Sequence, residues 1–202
     1  VKQYYLAKIN QIPFVDSYIF WNKDKALKWA TNAEYPIVFK LKGGAASQNV
    51  ILINNKSQAI RIINKIFGKG IQNNKMPSLS ATKYLKIESF IKTLMYPLYA
   101  KIRGLDSYLF WNRHKNYALF QKYLPSNSFD TSITVIGNVA YSFRRFTRKN
   151  DFRASGSGLI DYDQGKIDKR CLRIAFDTSA KMGFQSMAYD FLLNENNEPE
   201  IC

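Results

Sequence analysis

The sequence predicts an α+β fold of two lobes, each built on an antiparallel sheet and joined by a connecting strand. Two apolar strands at 35–53 flank a loop of small residues. Two further strands meet across Gly137-Asn138, a two-residue spacing that suits a tight hairpin. Other segments place apolar residues at helical spacing. With 202 residues, 46% of them hydrophobic, the chain can bury a core for one domain or for two lobes that share an interface.

The first third of the chain predicts a helix, a hairpin and a second helix. Asn22 can cap the first helix, and the chain then enters an apolar strand through Pro36 that ends at Lys40. The second helix is predicted at 57–67, with Gly68 as its C-terminal cap. The first helix carries its apolar residues along one face: Ala26, Leu27, Trp29, Ala30 and Ala33.

The middle of the chain begins with a polar loop at 72–78, rich in turn formers. From 83 to 103 an apolar stripe predicts a helix that is kinked at Pro97 and closed by Gly104. The run at 117–124 reads as the strand that connects the two lobes.

The last third predicts the second lobe. TSITVIG and VAYSFRRF form the hairpin around Gly137-Asn138. Residues 168–182 return to helical spacing, with Gly183 at the end. SMAYDFLLNENNEPEIC then reads as two strands joined by a polar turn.

The charge and the cysteine count restrict the class of protein. Thirty Lys and Arg against fifteen Asp and Glu give a net charge of +15, which favours an anionic partner. Two cysteines and one histidine exclude a disulfide framework and a zinc site. With so few cysteines, a reducing cytoplasm is the expected location. The sequence shows no apolar run long enough for a transmembrane segment and no hydrophobic core of a signal peptide at its start, so a soluble protein is expected. The chain begins with Val and stops within an apparent strand, so we expect a piece of a longer protein.

The loop after Lys40 predicts a phosphate site. Its small residues leave backbone N–H groups uncovered, and Lys40 supplies a positive charge at the strand end. The loop lies between strands and does not open a helix, so neither a P-loop nor a dinucleotide fingerprint fits. An ordinary tight turn is the alternative. The loop residues in question are Gly43, Gly44, Ala45, Ala46 and Ser47.

In order along the chain, five motifs resemble those of the ATP-grasp superfamily, the fold of carboxylate ligases such as glutathione synthetase and D-alanine ligase. PIVFKLKGGAASQNV is similar to the nucleotide-lysine strand with its phosphate-covering loop, and FQKYL to the strand that meets adenine. DTSITVIG, then FRR with NDFRASGSG, resemble the central hairpin and the phosphate-side arginine loop. AYDFLL resembles the metal-binding strand. The resemblance covers nearly the whole chain.

The resemblance implies one ATP-grasp domain over residues 1–202. Its small lobe would lie at about 12–122, with a helical insertion at 83–115, and its central large lobe at about 123–202, truncated at the C-terminus. An N-terminal domain, which shapes the acceptor site in this family, would precede it in the full-length chain.

Nucleotide-binding roles follow from the resemblance. Lys40 would neutralise the α- and β-phosphates, while Lys42 either assists or faces solvent. The connecting strand would hydrogen-bond the adenine edge through its backbone; an interior strand without a ligand is the alternative. The residues concerned are Gln121, Lys122, Tyr123 and Leu124.

The catalytic and metal-binding roles fall in the second lobe. Arg144, Arg145 and Arg153 carry planar guanidinium groups that suit phosphate oxygens. Strand alternation places Arg144 and Arg145 on opposite faces, so only one of them can enter the cleft, and the sequence does not separate them. Asp190 interrupts an apolar strand and is the expected Mg²⁺ ligand.

The chain departs from the family pattern at several positions. Lys122 occupies a hinge position that is usually glutamate, and Ser132 stands where an arginine is common after Asp130. Ala46 and Asn49 replace glycines of the covering loop. Glu200 comes closest to the family's metal-binding glutamate, which by spacing would follow Cys202.

The expected function is an ATP- and Mg²⁺-dependent ligase that activates a carboxylate as acyl phosphate for attack by an amine or thiol. Two alternatives remain. A basic nucleic-acid-binding module is the less favoured, and it rests on the net charge and on aromatic residues interleaved with basic ones. A catalytically inactive ATP-grasp remnant is the other. The acceptor cannot be named, although the charge favours an anionic one.

Overall fold

Two antiparallel sheets face each other in the computed structural model, which describes residues 1–42, 50–72 and 113–202. The four-stranded sheet has the order β1-β6-β2-β3, and the five-stranded sheet has the order β11-β10-β7-β8-β9. With helices packed on the outer face of each sheet, the predicted α+β fold class is confirmed.

The strands of the four-stranded sheet are β1 (Ser17–Phe20), β2 (Ile37–Lys40), β3 (Val50–Ile53) and β6 (Ala118–Lys122). A short ribbon pairs β4 (Ile71–Gln72) with β5 (Arg113–His114). The strands of the five-stranded sheet are β7 (Phe129–Ile136), β8 (Val139–Phe146), β9 (Ile160–Asp161), β10 (Ser186–Leu193) and β11 (Pro199–Ile201). The helices within the described ranges are α1 (Lys2–Ile9), α2 (Lys23–Asn32), α3 (Lys56–Phe67), α4 (Lys169–Met182) and the 3-10 helix Gln164–Lys166.

Local signals fix the ends of the helices. The Asn22 side chain accepts a hydrogen bond from the Lys25 N–H at 2.9 Å, so the predicted cap of α2 is confirmed. Asn55 caps α3 in the same way, through the Gln58 N–H at 3.0 Å. Gly183 ends α4 with a left-handed φ of 66°.

Each sheet buries one face beneath its helices. On the four-stranded sheet, Phe39 and Phe120 are fully buried against α2 and α3. On the five-stranded sheet, Ile133 and Phe191 pack against Cys171 and other residues of α4. Because side chains alternate along a strand, the next residues in each strand point to the opposite face, where the two sheets meet.

In the described ranges, two chain crossings that lie side by side join the lobes. In the first, residues 13–15 run beside β11 before β1 begins: Val15 N–H donates to Ile201 O at 2.9 Å, and Ile201 N–H donates to Pro13 O at 3.0 Å. The second crossing is the segment between β6 and β7, where Asn127 exchanges hydrogen bonds with the backbone of Leu193. The two crossings are linked by Lys122 N–H, which donates to Asp16 O at 2.8 Å.

The hairpin at Gly137-Asn138 and the two C-terminal strands occur as predicted. The kinked helix predicted at 83–103 lies outside the described residues. Of the helical insertion expected at 83–115, only the last residues are described, and Arg113–His114 form strand β5. In the described parts of the chain, no helix combines the length and apolar character needed to cross a bilayer.

Candidate functional site

A cavity of about 450 Å³ lies between the inner faces of the two sheets. It draws side chains from β2 and β6 on one side and from β7, β8 and β10 on the other. Its charged lining residues are Lys40, Lys122, Asp130, Arg145, Arg153 and Asp190. Cations and carboxylates from opposite lobes therefore share one enclosed space.

Lys40 is the last residue of β2 and pairs with Val50 of β3. Val38 and Lys40 face the cavity, because the alternate residues Ile37 and Phe39 belong to the core. Within the described ranges Lys40 makes no ion pair. The strand thus presents to the cavity an ammonium group that pairs with no carboxylate of the described residues.

Lys42 lies outside this cavity. Its ammonium group sits 4.5 Å from the ring centroid of Trp21 and 4.4 Å from that of Tyr117, and its backbone N–H donates to the Tyr117 hydroxyl at 2.8 Å. Cation–π contacts hold the side chain against these rings, so its expected contact with the nucleotide is not supported. The predicted loop residues Gly43, Gly44, Ala45, Ala46 and Ser47 lie outside the described residues.

The connecting segment Gln121–Leu124 lines the cavity along one edge. The Gln121 side chain lies on the same sheet face as Val38 and donates to the Ser17 hydroxyl at 3.2 Å. The Leu124 N–H has no acceptor among the described residues, so this buried donor is available to a bound molecule. Lys122 forms an ion pair with Glu195, and that hydrogen bond raises the pKa of Lys122.

Arg145 is the cation at the centre of the five-stranded sheet. Its Nε and one Nη donate to the two carboxylate oxygens of Asp130 at 2.8 and 2.9 Å, and Nη2 also lies 2.8 Å from Asp190 Oδ1. Burial raises the pKa of Asp130, and the Arg145 hydrogen bonds offset part of that effect. Burial alone would lower the pKa of Arg145, but its bonds to the two carboxylates outweigh burial and raise it. The guanidinium is therefore permanently charged and held in place.

Arg144 points to the other face of the sheet, so it cannot share the phosphate-contacting role predicted for the arginines. It pairs with Asp161 of β9, and its guanidinium lies 4.8 Å from the ring centroid of Phe129. Arg144 is opposite Thr131 in the register and Arg145 is opposite Asp130, so neighbouring residues of β8 take opposite sides. The structure thereby separates two residues that the sequence left equivalent.

Arg153 reaches the cavity from the loop after β8. Its Nη2 donates to Asp151 Oδ2 at 2.6 Å, and this pairing lowers the pKa of Asp151. Arg148 forms two hydrogen bonds within this loop. Its Nη2 donates to Ser155 O at 2.6 Å, and its backbone N–H donates to Arg153 O. Ser155, which follows Arg153 in the same loop, also lines the cavity.

Asp190 faces the cavity with a side chain that is 41% exposed, enough to take a further ligand. Asp130 uses both oxygens on Arg145, so Asp190 is the carboxylate that remains available. In the described part of the chain no cluster of three or more acidic, His or Cys residues could hold a metal by itself. A single carboxylate suits Mg²⁺, which keeps its waters and takes its other ligands from phosphate oxygens.

The sequence did not single out Asp130 or Cys202 as site residues. The Cys202 N–H donates to Asp190 O at 2.9 Å, which places its thiol across from Asp190 on the cavity face. Burial raises the pKa of Cys202 to about 11.

Asp130 could have been found from hairpin register, because counting back from Gly137-Asn138 places it opposite Arg145.

Comparison with solved structures identifies the fold. The chain is similar to a biotin carboxylase from Campylobacter jejuni in complex with β-γ-ATP (TM-score 0.58, 13% identity, 99% of this chain and 38% of that chain). It is similar to the ATP-grasp ligase PsnB complexed with a precursor peptide and AMPPNP (TM-score 0.53, 11% identity, 98% and 46%). A third similar structure is D-alanine–D-alanine ligase from Bacillus anthracis (TM-score 0.51, 10% identity, 98% and 53%).

No family model and no curated protein matches the sequence. The chain spans about half the length, or less, of these three structures. At such identities the likeness shows the fold alone, and that fold is the ATP-grasp fold, as the motif order indicated.

Proposed function

We propose that this chain binds ATP with Mg²⁺ between its two sheets and transfers the γ-phosphoryl group to a carboxylate. The resulting acyl phosphate would then be attacked by an amine or thiol. The observation that carries the proposal is that Lys40 from one sheet and the Arg145–Asp190 pair from the other line the same cavity. Polyphosphate needs this combination of fixed cations and a metal-binding carboxylate.

The adenine end belongs at the connecting segment. The N–H of Leu124 is buried and has no acceptor among the described residues, and the apolar side chains of Val38, Leu41 and Leu192 line the space beside it. A planar base can accept the Leu124 hydrogen bond and pack between these apolar groups. Lys40 then lies at the end of the cavity towards which the triphosphate extends from the base, and its ammonium group neutralises the α- and β-phosphates.

The phosphate end belongs at Arg145 and Arg153. Asp130 already orients the Arg145 guanidinium, so Arg145 needs little reorganisation to stabilise negative charge on the transferred group. Arg153 approaches from the loop on the same side and can contact the γ-phosphate or the acceptor carboxylate. Both guanidinium groups stay charged at physiological pH, so their contacts with phosphate oxygens do not change with their own protonation.

Asp190 is the residue that would hold Mg²⁺. Bound Mg²⁺ supplies charge neutralisation to the β- and γ-phosphates and orients them. The protein contributes one carboxylate whose Oδ1 is positioned by Arg145. The acceptor is a carboxylate of unidentified structure.

Nucleotide binding tests the proposal directly. Isothermal titration calorimetry with AMPPNP and Mg²⁺ should show one site, and Lys40→Ala should weaken binding about ten- to hundredfold, as expected for loss of a charged contact. Lys42→Ala is the matched control, since it removes an ammonium two residues away that packs on Trp21 and Tyr117. Equal effects of the two substitutions, or binding that is insensitive to both, would exclude the assigned orientation.

A screen of carboxylates for acceptor-dependent ADP release tests the ligase step. ADP release that requires both a carboxylate and Mg²⁺ supports the proposal. Nucleotide binding with no acceptor-dependent ADP release, from a chain that carries its flanking sequence, identifies a nucleotide-binding remnant. Steeply salt-dependent binding of single-stranded RNA or DNA without Mg²⁺ points to the nucleic-acid alternative.

A further inference from the structure

A second cavity, of about 560 Å³, lies beside the chain crossings and outside the space between the sheets. Its walls come from the start of β1, the end of α2 with the turn that follows it, and the connecting segment after β6. Lys122 and Tyr123 line both cavities, so the connecting segment forms the wall between them. The side chains that determine its chemistry are Asp16, Tyr18, Trp29, Glu34, Tyr35 and Tyr123.

Its aromatic walls are held in place by the core. Trp29 stacks against Tyr18 with 4.9 Å between ring centroids, and its other contacts are the core rings Phe20 at 5.1 Å and Phe120 at 4.9 Å. The Tyr35 hydroxyl donates to Ala30 O at 2.7 Å. Tyr18 and Trp29 therefore line the cavity as rings whose positions are fixed by their packing against each other and against the core.

Its two carboxylates have no partners within the described ranges. Asp16 and Glu34 are exposed, and neither side chain forms an ion pair or a hydrogen bond with a described residue. Burial raises the pKa of Tyr18, and the negative charges of Asp16 and Glu34 raise it further, while the charge of Lys122 lowers it. The cation in the lining, Lys122, is engaged by Glu195.

The local charge is opposite to that of the chain. A chain of net charge +15 repels cations over most of its surface. Here two carboxylates that form no ion pair with a described residue stand at the rim of a cavity lined with aromatic rings, and they attract cations despite the charge of Lys122 nearby. The described part of the chain has no group of three metal-ligating residues, and here, unlike in the nucleotide cavity, no triphosphate would complete the coordination of a metal ion, so the arrangement suits an organic cation better.

We propose that this second cavity binds a small organic cation, an ammonium or guanidinium group carried on a short apolar body. The cation would donate charge-assisted hydrogen bonds to the carboxylates of Asp16 and Glu34, and its body would pack on Tyr18 and Trp29. The volume is sufficient for such a molecule. This site is independent of the nucleotide cavity, although the two share the wall formed by Lys122 and Tyr123.

Calorimetric titration with two probes tests the site: 2-phenylethylammonium and agmatine, with neutral 2-phenylethanol as the matched control. Both cations should bind, and 2-phenylethanol should bind at least about tenfold more weakly, because it has the apolar body without the charge. If the neutral alcohol binds as well as the ammonium, the cavity is merely apolar and the proposal is wrong. Absence of heat for both cations up to about 10 mM also overturns it.

Substitutions then locate the binding. Asp16→Asn with Glu34→Gln keeps the shapes of both side chains and should weaken cation binding about tenfold, while Tyr18→Leu should weaken it about two- to fivefold by removing a π face. Asp177→Asn, which neutralises an exposed carboxylate on α4, should leave binding unchanged. Binding that is unaffected in both cavity variants would place the cation elsewhere and refute the assignment. AMPPNP titrations of the same variants separate this result from the nucleotide site.

Discussion

Arg145 Nη2 lies 2.8 Å from Asp190 Oδ1, although the two residues belong to strands that are separated by β7. The guanidinium spans that strand while it is bonded to Asp130. Ser132 of β7 is paired with Asp190 in the register. An arginine was expected at this position from the motif pattern, and Arg145 supplies a guanidinium to the same carboxylate from the next strand. A ligand that takes Asp190 would free one N–H of Arg145 Nη2 towards the cavity, while Nη2 still donates to Asp130 Oδ2.

Removing this guanidinium should destabilise the fold. Arg145→Ala leaves the buried Asp130 carboxylate without its partner, and we expect a loss of about 3–5 kcal/mol in the free energy of unfolding. Urea unfolding followed by circular dichroism measures it. Adding Asp130→Asn to this variant should recover part of the loss, since no buried charge remains. A double variant less stable than the single one would contradict this explanation.

Replacing the guanidinium by an ammonium should separate catalysis from folding. Arg145→Lys keeps the charge but loses the two-pronged geometry, and we expect ADP release with an active acceptor to slow by about 10²–10³-fold. Arg144→Lys, on the opposite face of β8, should change the rate by less than about threefold. Steady-state rates of ADP release at saturating ATP, measured for both variants, test this difference. Equal losses would mean that the two arginines act through the sheet and not through the cavity.

Asp190 should control the effect of Mg²⁺ on nucleotide affinity. Substitutions that only support a metal ligand typically cost 10- to 100-fold, so loss of the ligand itself in Asp190→Asn should lower the Mg²⁺-dependent gain in ATP affinity by about tenfold or more. Affinity measured in EDTA should not fall. Glu195→Gln, on the exposed Lys122 ion pair, is the control and should keep the Mg²⁺ effect. An intact Mg²⁺ effect in Asp190→Asn would remove Asp190 from the metal site.

Asp161 should make stability depend on acid pH. The hydrogen bond from Arg144 lowers the pKa of Asp161 to about 2, from 3.8 for the ordinary side chain. Because the folded value is depressed, the stabilisation is present above about pH 4 and is lost as the pH falls towards about 2. Asp161→Asn should therefore lower Tm at pH 7 and should not differ from the parent chain near pH 2. A difference in Tm that stays constant over this range would rule out the linkage.

Gly183 should be sensitive to any side chain that disfavours its backbone conformation. Its φ is 66°, and a Cβ atom would meet no other atom, so the cost of Gly183→Ala is conformational. We expect a loss of about 1–2 kcal/mol in the free energy of unfolding. Gly183→Asn should lose less, since Asn tolerates the left-handed region. Chemical denaturation compares the two, and a larger loss for Asn would indicate a steric cause.

The elements that sequence analysis predicted are those with local signals. Asn22 and Gly183 mark helix ends through hydrogen bonds and backbone angles that involve only near neighbours. The spacing at Gly137-Asn138 fixes the register of a whole hairpin. These features need no information from distant parts of the chain.

What sequence analysis did not predict depends on distant contacts. Strand β1 was not foreseen, because its partner β6 is about a hundred residues away, with Ser17 opposite Gln121. Alternation showed that Arg144 and Arg145 diverge, but the inward face depends on which side α4 covers. Lys42 was left ambiguous since Trp21 and Tyr117, the rings that hold it, come from separate segments.

The two adjacent chain crossings determine how the lobes can move relative to each other. The hydrogen bond between Lys122 and Asp16 joins the crossings, so they act as paired tethers. Sliding one lobe past the other would have to stretch both tethers, whereas rotation about the line through them only bends a few backbone torsions. A hinge of this kind opens the gap most at the margin farthest from the tethers, and ligands should enter and leave by that margin.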